Sequence, residues 1–206
     1  MGIIVAHPDD EILWAGGTLL LHREWRRRIY TLCRARDPDR APKFSRVLAY
    51  LGAEGGMADL DDEPEQCPLP RAMVRQTIQA LLHGASYDLL LTHGPRGEYT
   101  RHQRHVEVSR AVAALWLSGQ LALRELWMFA YEDGQRAHLP RAVSTADIQL
   151  PLPENIWEQK YHLIHDVYGF AAESWEAHAT PRHEAFWRFS SPASLAVWLQ
   201  NMEVQL

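Results

Sequence analysis

Short apolar runs alternate with helical patterns over the first two-thirds of the chain. Gly2 to Ala6 is a β-rich run too short for a helix. After the polar His7-Pro8-Asp9-Asp10 turn, Glu11 to Trp25 places Ile12, Leu13, Leu19, Leu20 and Leu21 on a helical face. Gly16-Gly17 inside that stretch lowers helix propensity, a cost that the close approach of another backbone would explain. Arg28 to Cys33 reads as a second strand, Pro42 to Leu51 as a helix stopped by Gly52, and Gly55 to Leu60 as a weak third strand. Leu69 to Leu82 reads as a helix opened near Pro70 and ended near Gly84. Tyr87 to Thr92 has the apolar centre of a buried parallel strand. Gln103 to Leu117 follows as a helix and Leu123 to Tyr131 as a fifth strand.

This alternation predicts an α/β fold: a Rossmann-like, doubly wound, mostly parallel sheet with helices on both faces. The last third departs from it. Ala146 to Leu152 reads as a short strand and Glu154 to Val167 as a helix, and Trp175, Phe186, Trp187 and Trp198 are expected to close a core rather than bind a ligand. With no repeat and no linker, residues 1–206 are expected to form a single domain.

Composition narrows the function classes. At 47% hydrophobic and 23% charged, the chain has the balance of a soluble globular protein. A formal net charge of -5 argues against nucleic acid as a partner, because phosphate binding relies on a basic surface. The local cluster Arg23, Arg26, Arg27 and Arg28 reads as the solvated end of a helix and its turn. Cys33 and Cys67 are in no paired pattern, no signal peptide is evident, and no run is long enough for a membrane span. The expectation is a cytoplasmic protein with no membrane partner; the oligomeric state is left open.

Open α/β sheets place ligands at the carboxyl ends of their strands. Two such ends carry unusual polar clusters. The first, His7-Pro8-Asp9-Asp10-Glu11, packs an imidazole and three carboxylates into five residues. Helix capping accounts for one carboxylate, but not for His7 or for the mutual repulsion of the acids, which a cation would relieve. The second cluster runs from Thr92 to His105, with His102 and His105 three apart at a helix start and so on one face. In a parallel sheet both clusters emerge on the same edge. His7, Asp10 and His105 would then give three protein ligands with an open position for water, the catalytic zinc arrangement. Two histidines and a carboxylate also suit ferrous iron or another divalent metal. Asp9 would take a proton from water and His102 would stabilise an oxyanion.

These residues resemble the PIG-L/LmbE-like family of zinc-dependent N-acetylglucosaminyl deacetylases. The sequence from Ala6 to Glu11 matches the family's AHPDDE motif throughout, directly after the first strand. The resemblance covers roughly residues 2–131. It implies that His7, Asp10 and His105 bind the metal, Asp9 is the general base, and His102 stabilises the oxyanion or acts as general acid. It also implies a substrate-contacting arginine 11 positions before Leu51, where Arg40 stands. The helix-start motif departs from the family's Gly-His-Pro-Asp-His: Arg101-His102-Gln103-Arg104-His105 keeps both histidines and replaces the rest. Arg104 in its new place, and His93 at the end of the fourth strand, are further candidates for substrate contact. Tyr99 is one position off the family's tyrosine, and Lys43 stands where the family tends to have a glutamate. The expected partner is a small N-acylated molecule. A metal-assisted hydratase on the same scaffold and a non-catalytic metal-containing binding protein are the alternatives.

Overall fold

The computed structural model describes residues 1–65, 67–99 and 102–202. The alternating elements are β1 (Gly2–Val5), α1 (Asp10–Leu21), β2 (Arg28–Cys33), α2 (Arg40–Leu51), β3 (Glu54–Leu60), α3 (Arg71–Leu82), β4 (Tyr87–Thr92), α4 (Gln103–Leu117) and β5 (Leu123–Phe129). A two-stranded ribbon, β6 (Tyr131–Glu132) with β7 (Arg141–Ala142), lies between β5 and the tail. The tail supplies β8 (Ile148–Pro151), α5 (Glu154–His162) continued by a π-helical turn (Leu163–Val167), α6 (Trp175–Ala179), β9 (His183–Phe189) and α7 (Pro192–Asn201).

Strand order in the main sheet is β3-β2-β1-β4-β5-β9-β8. β1 to β5 are mutually parallel; beyond β5 the sheet is extended by β9, antiparallel to β5, and then by β8, antiparallel to β9. The α/β, doubly wound expectation therefore holds, and so does the expected short strand within residues 146–152, now β8; β9 is an addition that the sequence did not disclose. The tail closes the sheet with two strands, and β9 contains Phe186 and Trp187, residues expected only to fill a core. The fifth strand ends at Phe129, because the chain leaves the sheet and re-pairs as the β6–β7 ribbon.

Side-chain alternation along β1 explains the two layers. Ile3 and Val5 point into a core with α1, α2 and the π-helical turn, through Ile12, Leu19, Phe44, Val47 and Leu163. Ile4 and Ala6 point into the opposite core with α3, α4 and α7, through Ile78, Val112 and Leu195. The winding of the sheet reverses between β1 and β4, which pair with each other while their crossovers lead to opposite sides. That is the switch point where open sheets leave a crevice.

Two expectations for α1 need correction. The helix stops at Leu21, and Arg27 is not solvated: its Nη1 donates to the Leu19 carbonyl and its Nη2 to that of Arg23, at 3.1 Å each. The guanidinium satisfies carbonyls that the helix end would otherwise leave bare. The glycine pair admits side chains rather than another backbone. A Cβ on Gly17 would meet Leu152 Cδ2 at 2.3 Å and one on Gly16 would meet Lys160 Cγ at 3.2 Å.

Through that gap Glu184 of β9 reaches α1. Its carboxylate accepts from the backbone N–H of Gly17, the N–H and hydroxyl of Thr18, and Lys160 Nζ, each at 2.7 Å. Both charged side chains are fully buried. Lys160→Met would leave the carboxylate without its cation in a low-dielectric interior. The expected cost is about 3–5 kcal/mol of folding stability, read as a lower midpoint in denaturant unfolding; an unchanged midpoint would show that the N–H donors alone hold the charge.

Candidate active site

β1 ends at Val5, and the chain turns through His7 and Pro8 into α1. Asp9 occupies the N-cap position, yet its side chain makes no capping hydrogen bond, and its backbone φ is 122°. Non-glycine residues seldom adopt that region, so the surrounding structure holds a strained conformation of about 1–3 kcal/mol. Its own N–H donates to Glu11 Oε2, and Glu11 in turn accepts from the Tyr168 hydroxyl. The turn thus presents Asp9 to a cleft and directs Asp10 inward.

Asp10 is 3% exposed. Its Oδ2 accepts from the His7 backbone N–H at 2.8 Å and faces His7 Nδ1 at 3.1 Å. Its Oδ1 accepts from Trp14 Nε1–H at 3.1 Å and faces His105 Nε2 at 3.3 Å. His7 Nδ1 and His105 Nε2 are themselves 3.3 Å apart. Three donors from the end of β1 and the starts of α1 and α4 therefore converge at hydrogen-bond spacing. Burial opposes ionisation of Asp10, but His105 and His93 beside it hold its carboxyl well below the usual range.

The far nitrogen of each imidazole is held by a carboxylate. His7 Nε2 faces Asp62 Oδ1 at 3.1 Å, and His105 Nδ1 faces Glu98 Oε2 at 2.7 Å. Such carboxylate–histidine pairs fix the ring and the tautomer of metal-binding histidines, leaving the other nitrogen's lone pair for a cation. The donor set thus suits a divalent metal. Two overlapping groups, His7 with His102 and His105, and Asp10 with His93 and His105, also have their donor atoms within 4.8 Å of one another. His93 Nε2, however, already accepts the Ala6 N–H at 2.9 Å, while its Nδ1 faces Glu98 at 2.9 Å.

Neither Asp62 nor Glu98 stands out in the sequence. Glu98 lies in the right loop but carries no motif, and Asp62 follows the weak strand β3 among other acids. Burial disfavours the charge of Glu98, but His93 and His105 outweigh it and hold its carboxyl at about 2. Asp62 is likewise at about 2: burial opposes, while His7 and Arg34 favour the anion.

A cleft of about 650 Å³ opens over this cluster, lined among others by His7, Asp9, Asp10, Arg34, Arg40, Tyr99, His102 and Trp175. Arg40 lines the cleft: its Nη1 lies 3.6 Å from Asp9 Oδ2 and its guanidinium 4.3 Å over the Phe170 ring. His102 stacks at 4.3 Å between ring centroids on His105, and its buried Nδ1 has no hydrogen-bond partner among the described residues. Burial, with His105 and His7 nearby, lowers its pKa to about 3, so the ring is neutral. Burial and the neighbouring Asp10 push Asp9 well above the ordinary carboxylate value. Tyr99 does reach the cleft, 5.7 Å from His102 between ring centroids.

Two expected substrate contacts are corrected. Arg104 is 1% exposed and points away from the cleft. It donates to the Asp61 carbonyl, to Glu107 Oε2 at 2.7 Å and to the Cys67 carbonyl at 3.0 Å, pinning the chain after β3 onto α4. Its cationic head is thus fully engaged within the protein. His93 is 0% exposed and packs against Asp10 and the His105 ring, away from any substrate. Lys43 pairs with Asp39 at 2.7 Å, outside the cleft lining. Arg101 falls outside the described residues.

No family model and no curated protein matches the sequence. Solved structures do resemble it. 4-Carboxy-2-hydroxymuconate hydratase GalB from Pseudomonas putida is similar at 14% identity and a TM-score of 0.65, over 91% of this chain and 94% of that one. A zinc-inhibited form of the teicoplanin deacetylase Orf2 is similar at 13% and 0.64, over 91% and 96%. A conserved protein from Thermus thermophilus is similar at 18% and 0.60, over 90% and 92%. The fold is shared with a hydratase and a deacetylase. The likeness therefore identifies the scaffold and leaves the reaction to the site.

Glu98→Gln keeps the shape and removes the anion that both imidazoles face. A carboxyl held below its unfolded value contributes stability that is fully present above about 4.5 and is lost as pH falls through about 2. The variant is expected to be less stable than wild type at neutral pH, with the gap narrowing below pH 4.5. Unfolding midpoints measured across that range check this; a gap that does not depend on pH would refute it.

Proposed function

We propose that the protein is a metal-dependent amide hydrolase that removes an N-acyl group, most simply acetyl, from a small amino-sugar-type molecule. The observation that carries the reading is the division of labour between two adjacent aspartates. Asp10 is buried against His7 and His105, whereas Asp9 lines the cleft and has no capping role. A purely cation-binding module would have no use for a second carboxylate strained into the cleft beside the first.

His7, Asp10 and His105 would hold the metal, with Asp62 and Glu98 orienting the two imidazoles. A divalent cation bound there supplies Lewis acidity, which acidifies water and polarises a carbonyl. Zinc is the first choice by donor type, and iron or another divalent ion suits the same donors.

The protein's own groups account for the proton steps. Asp9 receives the proton of the attacking water; its upward-shifted carboxyl is closer to the operating pH, where a general base works best. Arg40, 3.6 Å away, holds that carboxylate in place and offers N–H groups to substrate hydroxyls. His102, neutral at physiological pH, has a ring N–H to donate to the oxygen that gains charge as the amide carbonyl becomes tetrahedral. Asp9 then returns its proton to the departing amine.

The PIG-L/LmbE-like resemblance of the His7–Glu11 motif supports the same reading, and so does the likeness to a teicoplanin deacetylase. The hydratase neighbour favours a second one: the same activated water adding to a carbon–carbon double bond. Amine release from an N-acetyl substrate separates the two.

Four variants on one substrate test the assignment, with metal content and kcat measured for each. Asp9→Asn is expected to lower turnover by about 10²–10⁴-fold with metal content nearly unchanged. Asp10→Asn and His105→Ala should lose metal as well as rate. His102→Ala should keep the metal and lose turnover. If Asp9→Asn loses the metal while Asp10→Asn keeps it, the two roles are reversed; if chelator-stripped protein is fully active, the metal reading fails.

A further inference from the structure

The outer cleft has a charge and a surface that the amide chemistry does not use. Carboxylates outnumber guanidinium groups among its lining residues by six to two. Both guanidinium groups already face acids: Arg34 pairs with Asp62 at 2.7 Å and Asp37 at 3.5 Å, and Arg40 faces Asp9 at 3.6 Å. The carboxylates of Glu63 and Glu176 form no ion pair among the described residues. A divalent cation at the reacting centre would leave the cleft still negative.

The same cleft has an aromatic wall. Trp175 opens α6 with 38% of its surface exposed, although the tail aromatics were expected to close a core. Its ring lies 4.6 Å from that of Tyr99, which in turn adjoins His102. Glu176 follows Trp175 directly and lines the same cleft. Trp175, partly exposed, and Glu176, with no ion pair among the described residues, both line the cleft, and each attracts a cation, one through its ring quadrupole and the other through its charge. The same wall repels a polycarboxylate.

We propose that the substrate carries, besides its amide, a protonated amine, and that this ammonium group is bound between the Trp175 ring and the Glu176 carboxylate. The inference rests on the hydrolase reading for the amide and adds the charge class of the rest of the molecule. It sets this cleft apart from one built for a substrate of several carboxylates.

Three N-acetylglucosaminides with matched aglycones test it: aminoethyl, hydroxyethyl and carboxymethyl. Binding to the metal-replete protein is measured by calorimetry, and hydrolysis separately by amine release. The expected order of affinity is ammonium, hydroxyl, carboxylate, with about tenfold or more between the extremes at low salt and a smaller ratio at high salt. Trp175→Ala and Glu176→Gln should each weaken the ammonium ligand by about three- to tenfold and narrow its advantage over the hydroxyl one. Trp175→Phe, which keeps a π face, should retain most of the preference and guards against a folding defect. Equal or reversed affinities, no binding of any of the three, or a ratio unmoved by both substitutions would overturn the proposal. Ammonium preference without amine release would leave the cation site standing and remove the hydrolase reading; amine release without charge preference would do the reverse.

Discussion

Asp10 sits almost fully buried within ion-pair distance of three imidazoles, those of His7, His93 and His105, and accepts from the Trp14 indole. A carboxylate in such a place is tolerable only if its surroundings compensate the charge. Much of the local structure follows from that demand. The His93 and His105 rings stack at 3.9 Å between centroids, and one further carboxylate, Glu98, faces the Nδ1 of both. The result is an alternating stack of acid, imidazole and acid that no single helix or strand could assemble.

The sheet brings these layers together. β1 and β4 are neighbours at the switch point, so the turn after β1 and the loop after β4 meet at one edge. His93 follows β4 directly and accepts the backbone N–H of Ala6, which ties the two strand ends to each other. β3 contributes from two strands away: the chain leaving it carries Asp62 to His7, and Arg104 of α4 holds that chain down from the other side. Arg104 is thus a structural clamp, and His102 Nδ1 has no hydrogen-bond partner among the described residues.

The tail connects core stability to the cleft. Glu184 of β9 and Lys160 of α5 grip the middle of α1, the helix that carries Asp10 and Trp14. The π-helical turn then delivers Tyr168 to Glu11 and Phe170 beneath Arg40. α6 completes the cleft with Trp175. The N-terminal layers supply the clustered carboxylates and imidazoles, and the tail sets their posture and the shape of the space in front of them.

Periodicity and local motif were enough to read the parallel layers, several element limits to the residue, and the His7–Glu11 cluster. These depend on contacts close in sequence: β2, β4 and α4 have the predicted bounds because glycines, prolines and apolar runs mark them. The tertiary structure alone decided which polar side chains turn inward. Asp62 and Glu98 look like surface acids in sequence, and Arg104 like a free cation, because the partners that engage them lie as far as 55 residues away in the case of Asp62 and 43 in the case of Arg104. Trp175 looked like core because burial is the usual fate of an indole, and only the placement of α6 at the rim leaves it open. Residue type and local pattern set what each side chain can do; the energetic cost of burying charge, settled across distant segments, selects which of them do it.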